Sequence, residues 1–295
     1  MRKQYQLIIL IGILATSCSK DIKLHSLSFD ATVNKANLNA GDSATFSFSG
    51  NPDFITFFSG EPGSRYEFKD RITDTSTNVQ LKFSTATTTA TNGTLSLLVS
   101  NNFSGAVNAT NIAAATFTDI TNRATLATGT ATVASGTVSL ADFAQQKKPV
   151  YIAFRYVAAA GAAQKKWTIT GFTLNHVLTD KTYTIANMTA TTPSPGFVTI
   201  DVKNPAVNWT AALVITGAST AALDTEDWAI AGPIDLSRVL PDAGTQIKTL
   251  SEGMNQFPFV YKYVAAGSYN AVFVATNANR DAQQSTKKTI GITVQ

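Results

Sequence analysis

The densest acidic group in the chain is Asp224, Glu226 and Asp227, in "LDTEDW". Carboxylates this close together invite a cation, because Ca²⁺ takes roughly 6–8 oxygen ligands. The spacing matches no ordered calcium loop, so solvated loop acids are the competing reading. No other cofactor is called for; a structural Ca²⁺ is the one these residues admit. Catalysis is poorly served. His25 and His176 are the two histidines, and neither has neighbours resembling a nucleophile–base pair. With 19 Asp and Glu residues, chance alone supplies carboxylate pairs of the kind that hydrolyse glycosides. "GAVNATNIAA" and "GAAQKKW" lack phosphate-loop spacing. The expectation is a protein that is not an enzyme.

Sugar recognition needs an exposed ring with amides, carboxylates or guanidinium groups around it. The three tryptophans are Trp167, Trp209 and Trp228. Trp167 lies in an alternating stretch and reads as core. Trp209, in "NPAVNWTAA", follows a polar loop beside Asn204 and Asn208. Trp209 and Asn208 are the leading candidates for ligand contact, balanced against burial. Tyr66 follows, and so does Trp228 in "EDWAIAG", although its strand-like setting favours the core. Glu61 and Arg65 stand four apart in "EPGSR" and are expected to brace that turn as an ion pair.

These candidates need a scaffold. The 295 residues suffice for one large or two ordinary domains, and 44 % hydrophobic content permits a sizeable core. Only 14 % is charged, with Thr, Ser, Ala and Asn in place of charge, which suits strand surfaces. Short alternating runs recur: "ATFSFSG", "LSLLVS", "PVYIAFRYV", "KWTITGFTL", "GFVTIDV", "ALVITG", "VYKYV", "SYNAVFVAT" and "KTIGITV". Gly, Asn, Asp and Pro separate them, which predicts an all-β protein built as sandwiches. Helical turns are predicted at "SLADF", capped by Ser139, and at "PIDLSRVL".

The first residues carry a different message. Arg2 and Lys3 precede an apolar run over residues 7–14, then small residues lead into Cys18, the single cysteine. The run is too short to span a bilayer, so it reads as an export signal. Net charge is +4; without Arg2 and Lys3 it is 4 − 2 = +2, too small and too scattered for nucleic acid.

Residues 15–18 resemble a bacterial lipobox, whose cysteine is lipidated and becomes the first residue after cleavage. Ala15 stands where leucine is commonest. The resemblance implies an outer-membrane protein anchored through lipid on Cys18, and "SKDIK" resembles part of a Bacteroidetes surface-export signal, with one acid, Asp21. "YKYVAAGSYNAVFVAT" resembles the last strands of a PKD (immunoglobulin-like) domain, with Gly267 and Tyr269 at its turn. "VYIAFRY" and the Trp167 strand resemble jelly-roll, galactose-binding-like modules. The expected division is a signal peptide at 1–17 and a tether at 18–25. A discontinuous PKD-like sandwich follows from 26–72 and 226–295, with residues 27–33 beside 289–294. A jelly-roll-like insertion occupies 73–225. "GNPDFITFFSGEPGSRYEF", "KKPVYIAFRYVA", "EDWAIAGPIDL" and "GSYNAVFVATNAN" resemble a Bacteroidetes family known as domain of unknown function 5017. That likeness implies a surface lipoprotein that captures glycan beside a SusC/SusD-type importer. The alternative is a structural or adhesive surface protein making protein–protein contacts.

Overall fold

A computed structural model describes residues 23–189, 193–218, 223–254 and 258–295. The signal segment and Cys18 lie outside the described residues. The protein is all-β. In chain order the strands are β1 (Phe29–Val33), β2 (Asn37–Leu38), β3 (Ser43–Gly50), β4 (Phe54–Phe58), β5 (Val79–Thr87), β6 (Thr94–Ser100), β7 (Thr118–Asp119), β8 (Val133–Ala134), β9 (Val138–Ser139), β10 (Val150–Ala158), β11 (Lys166–Val177), β12 (Thr182–Asn187), β13 (Val198–Lys203), β14 (Val214–Thr216), β15 (Thr225–Ile234), β16 (Thr245–Lys248), β17 (Phe259–Lys262), β18 (Gly267–Ala278) and β19 (Gln283–Val294).

The described residues form two compact units, one from residues 23–60 with 244–295 and the other from 61–243. The boundaries differ from the expected 72/73 and 225/226. The reason is β15, which pairs with β10 and β13 and is a central strand of the second unit. Residues 61–71 also belong to the second unit, through bonds described below.

In the first unit, sheets β1-β3-β17 and β16-β4-β18-β19-β2 enclose an aromatic core. Alternation in "SATFSFSG" sends Ala44 and Phe46 inward. Phe46 meets Phe57 at 5.9 Å and Phe273 at 4.9 Å between ring centroids. The first strand is shared between the sheets. β1 pairs with β3, the chain crosses over near Asn34, and β2 then pairs in parallel with the end of β19. Residues 27–33 therefore meet β19 through side chains rather than a ladder: Lys288 Nζ bonds Asp30 at 2.7 Å, and the Leu27 amide donates to Gln284 Oε1 at 3.2 Å. Gly60, at φ +83°, passes so close to Asn270 that a Cβ would lie 2.7 Å from its backbone nitrogen. Tyr269 donates its hydroxyl to the Ala265 carbonyl at 2.9 Å.

The second unit packs sheet β13-β15-β10-β6-β7 on sheet β12-β11-β5-β8, with β14 and β9 added to the latter. Leu97, Phe154, Ile169 and Phe172 lie between them. Residues 102–119, with the short helix α1 (Ala109–Ala114), cover the outer face of the first sheet through Phe103, Ile112 and Phe117. Covered on both faces, β6 and β15 read as continuous apolar runs rather than alternating ones. The helix α2 (Ala141–Ala144) forms in "SLADF", with Leu140 and Phe143 buried and Ser139 Oγ accepting from the Ala141 amide. "PIDLSRVL" is not helical. Its first residues finish β15, and Asp235 then holds a turn by accepting from the Ser237 amide and hydroxyl.

Candidate functional site

Two of the predicted ligand contacts, Trp209 and Trp228, are buried. Trp209 is 5 % exposed. Asn204 and Leu213 adopt positive φ and fold the intervening loop back, so Trp209 bridges Ile215 and joins the core. A ring in that position cannot be a stacking platform. Asn208 stays exposed, but its amide is spent on the Pro205 carbonyl of its own loop. Trp228 is also 5 % exposed, packed on Phe117, with its Nε1 donating to Glu226 and the Arg155 guanidinium over its ring. Trp167, at 4 %, is core as expected.

The predicted cation group does not converge. Consecutive residues of β15 point to opposite faces, so Glu226 and Asp227 diverge. Glu226 takes Arg155 Nε at 3.0 Å and lies 3.8 Å from Lys203 Nζ. Asp224 is exposed and accepts from the Ala160 amide at 2.9 Å. Asp227 is enclosed in the core face. Among the described residues no cluster of three or more His, Cys, Asp or Glu side chains is arranged around a common point.

Tyr66 remains, half-buried on a 3₁₀ turn, Tyr66–Phe68, with Lys69 Nζ 5.5 Å from its ring centroid. This turn belongs to a braced end of the second unit. Asp242, almost fully buried, accepts from the Gly63 amide at 3.1 Å, the Arg65 amide at 3.0 Å and the Tyr183 hydroxyl at 3.2 Å. Burial, then the adjacent Asp242 charge, raises the Tyr183 phenol above its ordinary pKa. Arg71 lies 3.9 Å from the Phe68 ring centroid and donates to Tyr183 at 2.7 Å and to Asp74 at 3.4 Å. Arg65 pairs with Asp180 across the unit.

From this brace two segments run as a short ribbon. Thr73 bridges Arg238, the Asp74 amide donates to Ser237, and the Val239 amide donates to Ile72. Two clefts open along it. One, of ≈ 290 Å³, is lined by Asp74, Ser76, Gln145, Lys148, Asp235 and Ser237 among others. The other, of ≈ 440 Å³, is lined by Tyr183, Thr184, Pro193, Ser194, Arg238 and Leu240 among others. Ile72 and Leu240 are 65 % and 53 % exposed, so the ribbon also presents apolar surface. Lys147, in a left-handed conformation that closes α2, and Lys148 are exposed and enter no ion pair among the described residues. Such a surface offers hydroxyls, amides and both charge signs to a polar ligand. Sequence reading missed it because its residues come from four separated loops. "TDTSTN" and "DLS", runs of turn-forming Asx and hydroxyl residues, were the available signal.

His176 lies beneath this surface, fully buried, with Nε2 2.8 Å from the Ser76 carbonyl and Nδ1 without a partner. His25 approaches Asp53 at 3.8 Å and is exposed.

A family described as "Domain of unknown function (DUF5017)" matches residues 17–194. The chain belongs to this family. The match includes "GNPDFITFFSGEPGSRYEF" and "KKPVYIAFRYVA"; "EDWAIAGPIDL" and "GSYNAVFVATNAN" lie beyond it. No curated protein and no solved structure matches the chain. No helix among the described residues is long and apolar enough to cross a membrane.

Proposed function

We propose that this DUF5017 protein is a non-catalytic surface lipoprotein, anchored through Cys18, whose second unit captures glycan beside a SusC/SusD-type importer. The observation that carries the reading is the ribbon at residues 72–74 and 237–239, with its two polar clefts. Hydroxyl, amide, carboxylate and ammonium groups converge there, the mixture that bonds sugar hydroxyls. Tyr66 supplies a half-buried ring at the same end of the unit. Neither histidine stands in a nucleophile–base arrangement, which supports capture rather than turnover.

The second reading, a structural or adhesive protein, is favoured by one specific observation: all three tryptophans are buried. Protein contact needs no stacking platform, and the exposed Ile72 and Leu240 suit an apolar partner.

A glycan array combined with affinity gels separates the two, using the chain from residue 19 onward. Retardation by at least one polysaccharide, weakened several-fold in Lys148→Ala and Tyr66→Ala, is expected. No retention on any array or gel would sink glycan capture and leave adhesion.

A further inference from the structure

We infer that Asp227, buried opposite Asp201, is kept neutral, and that this uncharged carboxyl latches the edge strand β13 onto β15. The two residues are direct cross-strand partners. Their neighbours Ile200 and Trp228 point to the other face, under the 102–119 layer, so both carboxyls share the face toward the main core. Directly opposed residues bring Cβ atoms to about 4.5–5.5 Å. Asp227 is 0 % exposed, and neither of its carboxyl oxygens has a hydrogen-bond partner among the described residues. Asp201 Oδ1 is likewise buried and unpartnered.

The surrounding charges do not neutralise this pair. On β13, Lys203 is turned to Glu226. On β15, Glu226 itself faces away and is held by Arg155. On β10, Tyr156 is the next residue in the row, and its hydroxyl donates to the Lys165 carbonyl. From the facing sheet, β14 contributes no titratable group, and neither does the loop of residues 204–213. Lys165 lies over the Trp167 ring at 5.7 Å, and Lys166 is exposed. No lysine or arginine is ion-paired with Asp201 or Asp227 among the described residues. Two adjacent carboxylates without a cation, one of them out of water, cannot both carry charge.

Burial, then the neighbouring Asp201 and Glu226, pushes the Asp227 carboxyl up to about 8 from an ordinary 3.8. Folding therefore takes up a proton between those values. Stability is fullest at low pH, falls as pH rises toward 8, and levels off beyond. β13 has a ladder partner on one side only, so it is the strand that gives way when the second charge appears.

The test is denaturant unfolding of the mature chain from pH 5 to 10, with amide exchange at residues 198–203. Wild type is compared with Asp227→Asn, which keeps the shape without the charge. The wild-type folding constant, relative to the variant, should fall toward tenfold per pH unit up to about pH 8. Amides of residues 198–203, corrected for intrinsic exchange, should lose protection at least tenfold between pH 6 and 9 in wild type alone. Asp201→Asn should shorten the falling range without abolishing it, because it removes the like charge and leaves the burial. Superimposable pH profiles for wild type and both variants would overturn the latch. If neither variant folds, carboxyl-carbon NMR of the wild type decides: an Asp227 carboxyl titrating near 4 overturns the proposal, one near 8 supports it.

Discussion

The two units solve the same architectural problem with opposite cores. The first is filled with aromatic rings, and its buried hydroxyl at Tyr263 reaches the Ser59 carbonyl at 3.0 Å. The second buries Asp227, Trp167 Nε1, Trp209 Nε1 and His176 Nδ1 without partners among the described residues, and carries two clefts at its loop end. Buried polar groups left unpaired cost stability, so a chain that keeps them has other constraints on that unit. The contrast is the ground on which we propose binding for the second unit.

The sharpest way to break that contrast is to cut into the aromatic core. Phe46→Ala should cost about 3–5 kcal/mol in denaturant unfolding, because Phe46 is fully buried against Phe57 and Phe273. A cost below about 1 kcal/mol would mean the rings are not what holds the first unit. Asp242→Ala is next. It strands the Gly63 and Arg65 amides and the Tyr183 hydroxyl, for a loss of about 2–3 kcal/mol. Spectroscopic titration of the same variant should show the Tyr183 phenol moving down, since one of the charges raising it is gone. The Asp227 effect is read as a slope. Its contribution should decline by at most about 1.4 kcal/mol per unit as pH rises toward 8, while the loss caused by Phe46→Ala stays constant with pH. The smallest effect belongs to Asp142, whose carboxyl is held below its ordinary pKa by the Arg123 guanidinium. This pair is largely exposed, so Asp142→Asn should cost about 0.5 kcal/mol or less, and less still in high salt.

Much of the fold is legible in the residues themselves. Alternation in "SATFSFSG" and "KWTITGFTL" marks β3 and β11, because one face of each strand is buried. The division of the chain reads less well. "EDWAIAGPIDL" lies close in sequence to the C-terminal strands, yet its continuous apolar character reflects burial on both faces in the second unit. The divergence of Glu226 and Asp227 follows from strand periodicity alone, since they are neighbours on one strand. Trp209 was not correctable that way. Its burial depends on positive φ at Asn204, which tolerates it, and at Leu213, which ordinarily avoids it. The ribbon and clefts depend on contacts between residues more than a hundred positions apart, such as Thr73 with Arg238, which no local pattern encodes.

The assignment of binding to the second unit is tested most directly by amide-exchange footprinting of the mature chain with and without a polysaccharide that retards it. Added protection should fall on residues 71–77, 144–149, 183–184 and 235–240, with the strands of the first unit unchanged. Protection confined to β3, β17 or β18 would contradict it.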